Sequence, residues 1–455
     1  MISAMTFHPV ARRASISILG LILALTLALP ARAVSLLRDA DLEYALAQLA
    51  TPVLKAAGLS AARTKILVVD DGSLNAFVIG NDAIYIHSGL IGRMENAAML
   101  QAVIAHEAAH IANGHITRRM TNMGSARTAA GLGMALAVIA AAAGGGEAAG
   151  AIAVGTQSAA MRAFLTHTRA EESSADQSGA RYLRSSGIPL SGMLDVFRLF
   201  RGQEVLSAAR QDPYVRSHPL TRDRLRAIEG YAAAYSDLTS PNSATWDYWF
   251  ARAKGKLTAY QRRPGWTLNR LGDSGYRDVA LMREAMARHQ NSQTRQALSA
   301  IDKAIALRPN DPFYYDLKGQ ILMETRQFAA AANAHGRAVQ LRPRDGLLQA
   351  GYGRALLASG NVKAALPALE RARSIDFRDG SMLRDLSVAY ARSGNTGMAA
   401  LVTAERYALR GRLEDAGIHA KRATGLLPEG SGPWQRAHDV LLASERAAKA
   451  DKKRR

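Results

Sequence analysis

Ala97-Ala98-Met99-Leu100-Gln101-Ala102-Val103-Ile104-Ala105-His106-Glu107-Ala108-Ala109-His110-Ile111-Ala112 holds no proline or glycine and is strongly apolar, which predicts a helix. Each helical residue turns by about 100°, so His106 and His110 stand about 40° apart and one turn up. Both imidazoles can then reach one zinc ion. Glu107, about 100° from His106, can lie beside such an ion without ligating it and take a proton from a hydrolytic water. A helix that placed these three side chains among Val103, Ile104, Ala108 and Ile111 for structure alone would carry an expensive core.

A catalytic zinc needs a third protein ligand and an open position. His115 is the nearest candidate, but nine residues after His106 it is about half a turn out of phase on a continuous helix, and it reads as structural. The ligand must come from elsewhere. Arg169-Ala170-Glu171-Glu172-Ser173-Ser174-Ala175-Asp176 supplies two carboxylates, Glu172 and Asp176, on one helical face. Glu172 can ligate while Asp176 orients a ligating histidine through its other ring nitrogen. Glu171, set off that face, competes for the ligand role.

Outward from these segments, residues 39–57 have helical apolar spacing closed by Gly58. Residues 64–69 and 75–86 are β-rich and broken by Asp70-Asp71-Gly72 and Gly80-Asn81-Asp82, which predicts a small antiparallel sheet. Residues 124–160 form an Ala/Gly tract that suits a helical hairpin; its apolar stretch is too short to span a bilayer, leaving a buried hairpin, a cover for the site or a membrane-surface contact. Thr239-Ser240-Pro241-Asn242-Ser243 is a polar linker, so the main boundary is expected near residue 240 with a connecting helix after it.

From residue 276 the chain repeats. Ala304, Ala338 and Ala372 share one position, as do Asp311, Asp345 and Asp379, Pro309 and Pro343, Gly319 and Gly353, and Gly360 and Gly394. That period matches a helix-turn-helix unit stacking into a solenoid with a concave binding face, and it resembles tetratricopeptide repeats. The expected organisation is a signal peptide at 1–33, a catalytic domain at 34–240, a linker and connecting helix at 241–275, repeats at 276–440 and a basic tail at 441–455.

The chain has 455 residues, enough for two cores, and its abundant alanine and few aromatics point to a mainly α protein. Arg12 and Arg13, the apolar run from Ile16 to Pro30, and Ala31-Arg32-Ala33 read as a secretory signal cleaved after Ala33. With no cysteine, thiolate chemistry and disulfides are excluded. The net charge of +20 favours anionic surfaces. The positive residues are spread over helices, so an anionic membrane surface is expected as a peripheral contact and nucleic acid is not.

The pairing of His106-Glu107-Ala108-Ala109-His110 with Glu172-Ser173-Ser174-Ala175-Asp176, after Leu74-Asn75-Ala76-Phe77-Val78 and before Ser217-His218-Pro219-Leu220-Thr221, resembles the HtpX/BepA family of zinc metallopeptidases over residues 35 to 232. With an exported repeat domain, it is most similar to the BepA-like periplasmic branch. The resemblance implies an α+β, mainly α fold: a zincin-type domain with a small sheet, then a helical solenoid of tetratricopeptide repeats. It implies one Zn2+ held by His106, His110 and Glu172, Glu107 as general base and acid, and Asp176 behind a ligand. His218 would either stabilise the oxyanion or plug the open position; as a residue it also reads as a cap of the following helix.

Asn75, Ala76 and Phe77 are expected on an edge strand that holds extended substrate through backbone hydrogen bonds. The implied setting is periplasmic quality control of unfolded or misassembled envelope proteins, alongside outer-membrane assembly machinery. An alternative of a different class is a chaperone or docking module with proteolysis weak, gated or lost.

Overall fold

The structure, a computed structural model, describes residues 36–119, 167–207, 210–236, 238 and 240–452. The expected signal peptide and the 124–160 tract lie outside the described residues, as do 453–455 of the basic tail.

Four strands make one sheet: β1 (Leu36–Leu37), β2 (Lys65–Val69), β3 (Ala76–Val78) and β4 (Ala83–His87), in the order β1-β2-β4-β3. β1 and β2 pair antiparallel, as do β3 and β4, but β2 and β4 run parallel. The expectation of an all-antiparallel sheet is corrected at that central pair. Residues 70–75 carry the chain past β4 to the far edge before β3 begins, so the hairpin returns β4 alongside β2. Burial agrees with the order. Every residue of β4 is buried, as suits a strand covered on both faces. One face, with Ile66, Val68, Ala76, Val78, Ile84 and Ile86, joins the helical core. The other, with Leu67, Val69, Phe77, Ile79 and Tyr85, forms a smaller cluster.

The helical core is built on α1 (Ala40–Ala56), α2 (Ser88–Arg93) and α3 (Ala97–Ala112). Asp39 starts α1 by accepting from Leu42 N at 2.8 Å, and Asn96 starts α3 by accepting from Met99 N at 2.9 Å. α3 is buried from Met99 through Ile111, as expected of a helix apolar all round. It packs on α4 (Arg169–Ser185), α5 (Ser191–Leu199), α1 and β3. α4 opens with a capping box in which Thr168 and Glu171 satisfy each other's backbone N–H groups. A short α6 (Pro213–Ser217) and α7 (Arg222–Ala234) complete this layer.

α8 (Ser243–Gln261) places Trp246, Phe250, Ala253 and Leu257 in the same core as α1 and α3. Its opposite side packs against α9 (Arg277–Gln290). From there helices alternate in pairs: α10 (Thr294–Leu307), α11 (Pro312–Glu324), α12 (Phe328–Leu341), α13 (Gly346–Ala358), α14 (Val362–Ile375), α15 (Gly380–Arg392), α16 (Thr396–Leu409) and α17 (Leu413–Leu426). The repeated residues explain the period. Asp311, Asp345 and Asp379 cap α11, α13 and α15, and Ala304, Ala338 and Ala372 are buried where helices meet. α18 (Gly432–Lys452) closes the stack, so the segment expected as a tail from residue 441 is helical through Lys452. Among the described residues, no helix is long and apolar enough to cross a membrane.

Candidate metal centre

α3 delivers His106, Glu107 and His110; α4 delivers Glu172 and Asp176; the residue after α6 is His218. All six side chains are buried. The structure brings His106, His110, Glu172 and His218 together, each offering one ligand atom within 4.8 Å of the others. The two Nε2 atoms of His106 and His110 are 3.1 Å apart. Glu172 sets Oε1 3.3 Å from His110 Nε2 and Oε2 3.5 Å from His106 Nε2. His218 places Nδ1 3.0 Å from Glu172 Oε1 and 3.2 Å from His106 Nε2, and Nε2 3.3 Å from Glu107 Oε1.

Asp176 stands behind this group, with Oδ1 3.0 Å from His106 Nδ1. The sequence reading missed what holds Asp176. Arg224 of α7, itself buried, donates from Nε to Asp176 Oδ2 at 2.6 Å and from Nη2 to Oδ1 at 2.9 Å. Its Nη1 reaches Glu172 Oε2 at 2.6 Å. No local pattern in the sequence marks Arg224 as such a clamp. Glu171 turns away instead, pairing with Arg119 and capping Thr168 N at 3.0 Å.

His115 stands apart from the four-residue group, yet the phase argument applied to it does not hold. It presumed an unbroken helix, whereas α3 ends at Ala112 and Gly114 takes a left-handed φ of 70°. The chain folds back there, and His115 Nδ1 comes 2.9 Å from His110 Nδ1. The Asn113-Gly114 pair was the available signal. His167, also unforeseen, lies just before the α4 cap; its ring lies over His110 with centroids 3.6 Å apart, and its backbone N–H donates to Ser217 O at 3.0 Å.

β3 borders the site at the open end of the sheet order. Ala76 O is 3.4 Å from His218 Nε2. Asn75 is buried with Oδ1 lacking a hydrogen-bond partner, and the Phe77 ring stacks on Tyr85 at 5.3 Å, away from the cluster. α6 is tied to this strand by Tyr214 N donating to Leu74 O at 3.1 Å. Thr221, rather than His218, caps α7 by accepting from Arg224 N at 3.3 Å.

Burial pushes the Glu107 carboxyl up from its ordinary value, although His218 and His106 act against this. Burial pushes Glu172 the same way, but His218, His106 and Arg224 overcome it and hold the carboxylate well below the usual range. Burial disfavours a charge on His106, yet Glu172 and Asp176 prevail and raise it to about 10. In these directions the carboxylates favour positive charge at a buried site.

A family profile described as Peptidase family M48 matches residues 37–232, and one described as a tetratricopeptide repeat matches 322–387. The chain carries an M48 peptidase domain followed by tetratricopeptide repeats. The beta-barrel assembly-enhancing protease of Escherichia coli strain K12 is 24% identical to it over 262 residues, covering 56% of this chain and 52% of that protein. A Vibrio cholerae relative, named provisionally for the same role, is 30% identical over 191 residues, covering 41% of this chain and 38% of its own. The chain thus spans about half the length of these relatives, or less. Among solved structures, MamA aligns to 36% of this chain and 97% of its own at 15% identity, with a TM-score of 0.31.

M48 peptidases are metal-dependent, and the residues of this M48 domain fit a metal. Two imidazoles and a carboxylate form a donor set suited to a catalytic divalent ion. Both oxygens of Glu107 are buried without a hydrogen-bond partner. Glu172 and Asp176 share the Arg224 guanidinium, which holds both carboxylates in place beside the two imidazoles.

Proposed function

We propose that this chain is a periplasmic zinc metalloendopeptidase that hydrolyses peptide bonds of unfolded or misassembled envelope proteins and takes part in outer-membrane protein quality control and assembly. The observation that carries this reading is the convergence of His106, His110 and Glu172 beside the buried carboxyl of Glu107, whose oxygens make no hydrogen bond. The names of the Escherichia coli and Vibrio cholerae relatives support the setting. The readable export signal supports the compartment, and the charge of +20 supports peripheral contact with an anionic membrane surface.

His106, His110 and Glu172 would hold the ion, whose contribution when bound is Lewis acidity toward the scissile carbonyl and the attacking water. Asp176 fixes the His106 ring from behind, and Arg224 fixes Asp176 and Glu172. Glu107 accepts the proton of the attacking water and hands it to the leaving amine; its raised affinity for a proton suits both transfers. Of Asn75, Ala76 and Phe77, Asn75 O is taken by His87 N at 2.9 Å and Phe77 pairs with Tyr85, so the β3 edge would meet an extended substrate through the backbone of Ala76, a mode that tolerates varied side chains.

Partner recruitment falls to the repeats. A cleft of about 790 Å³ lies between β1, α1, α8 and the repeat helices, lined among others by Leu37, Leu42, Leu257, Met323, Leu347 and Arg354. This cleft also favours the second reading, a docking or chaperone module with proteolysis gated or lost. Purified Glu107→Gln separates the two. It should retain bound zinc and lose casein cleavage by about 100-fold or more. Undiminished cleavage would overturn the assignment of Glu107, and a cellular phenotype unchanged in that variant would favour the docking module.

A further inference from the structure

We propose that His115 is a positioning residue for the metal centre, holding the ring of His110 as Asp176 holds that of His106; this rests on the metal-centre reading above. Four observations carry it. His115 is 2% exposed, although histidine is a costly residue to bury without a partner. Its Nδ1 lies 2.9 Å from His110 Nδ1, with the rings edge-on at a 5.0 Å centroid separation. The break in α3 at Gly114, with φ of 70°, turns it back onto that helix. Finally, His106 has the matching contact on its own Nδ1, at 3.0 Å from Asp176 Oδ1.

The hydrogen bookkeeping allows one arrangement. With Nε2 of His110 committed to an ion, the ring proton rests on Nδ1, and that N–H donates to the lone pair of His115 Nδ1. His115 then carries its own proton on Nε2. Each ligand histidine thus has one buried acceptor behind it, anionic for His106 and neutral for His110.

His110, His115 and His167 also lie close enough together to form a second cation site. Two features count against it. With an ion on its Nε2, His110 keeps its proton on Nδ1, and the Arg119 guanidinium is bonded to His167 Nδ1, which sets a positive charge where a second ion would go.

The experiment measures zinc affinity of the full-length apoprotein by competition with a chromophoric chelator, with zinc stoichiometry and melting temperature as further readouts. His115→Ala should bind zinc about 10- to 100-fold more weakly, with one ion per chain. His115→Asn, whose Oδ1 stands near the lost Nδ1, should recover most of that affinity. His115→Gln, which moves the acceptor outward, should behave like the Ala variant and replaces it should Ala fail to fold. Wild-type affinity in His115→Ala, no recovery in His115→Asn, or two zinc ions in the wild type with one lost in His115→Ala would each overturn the proposal. A wild-type chain that binds no zinc would instead overturn the metal-centre reading on which it rests.

Discussion

His218 is fully buried with a ring nitrogen at contact distance from each of Glu172, His106 and Glu107. An imidazole so placed fills the space between the ligands and the base, where an attacking water has to stand. This placement fits the plug role expected of His218 as well as the oxyanion role, and activity separates the two. His218→Ala should raise casein hydrolysis several-fold at unchanged zinc content; a fall in activity would assign His218 to oxyanion stabilisation. At this scale much was legible. Helical phase alone brought His106, Glu107 and His110 to one locus, because i and i+4 must share a face. His115 was legible only through the Asn113-Gly114 signal of a helix break, and His167 and Arg224 were not legible, since their contacts depend on elements far apart in sequence.

The site exists because α3 and α4 cross closely enough for Glu172 to meet two histidines. A Cβ built on Gly179 of α4 would sit 3.4 Å from the Ala105 carbonyl carbon, an ordinary contact. On Gly192 of α5 it would sit 2.4 Å from Ala98 O, which cannot be accommodated without moving a helix. Gly192→Ala should therefore cost about 1–3 kcal/mol in urea unfolding, while Gly179→Ala stays near wild type. Gly179→Leu should push α4 from α3 and weaken zinc binding of the full-length chain; unchanged affinity would remove this account of the crossing. The sheet teaches a related lesson. Strand-forming residues and turns at 64–86 were readable, but the parallel pairing of β2 with β4 is set by where the 70–75 connection runs, and alternation is silent on that.

Across the whole molecule, buried ion pairs tie the repeats to the peptidase layer. Arg252 of α8 donates to Asp41 Oδ1 at 2.6 Å and to Asp311 Oδ1 at 3.0 Å, so one guanidinium joins α1 to the start of α11. Asp376, after α14, accepts from Arg38 at 2.7 Å and Lys65 at 2.8 Å. Burial acts to raise the Asp376 pKa, but Arg38 and Lys65 prevail and hold it well below the usual range. A carboxylate depressed on folding contributes stability that is present above its unfolded value, about 3.9, and lost as pH falls through the folded one. Stability should thus drop below about pH 4, and Asp376→Asn should lower stability at neutral pH while flattening that acid limb. An acid limb identical in the variant would dismiss the pair as a source of it.

The sequence by itself determined the helix that carries His106, Glu107 and His110, the repeat period and the residues that cap it, because these follow from local phase and propensity. Only the tertiary structure decided what holds Asp176, what stands behind the His110 ring, the order of the strands and how the repeats lean on the peptidase layer. Those outcomes depend on burial and charge pairing between segments distant in the chain, and such energies come into being only once the segments have packed.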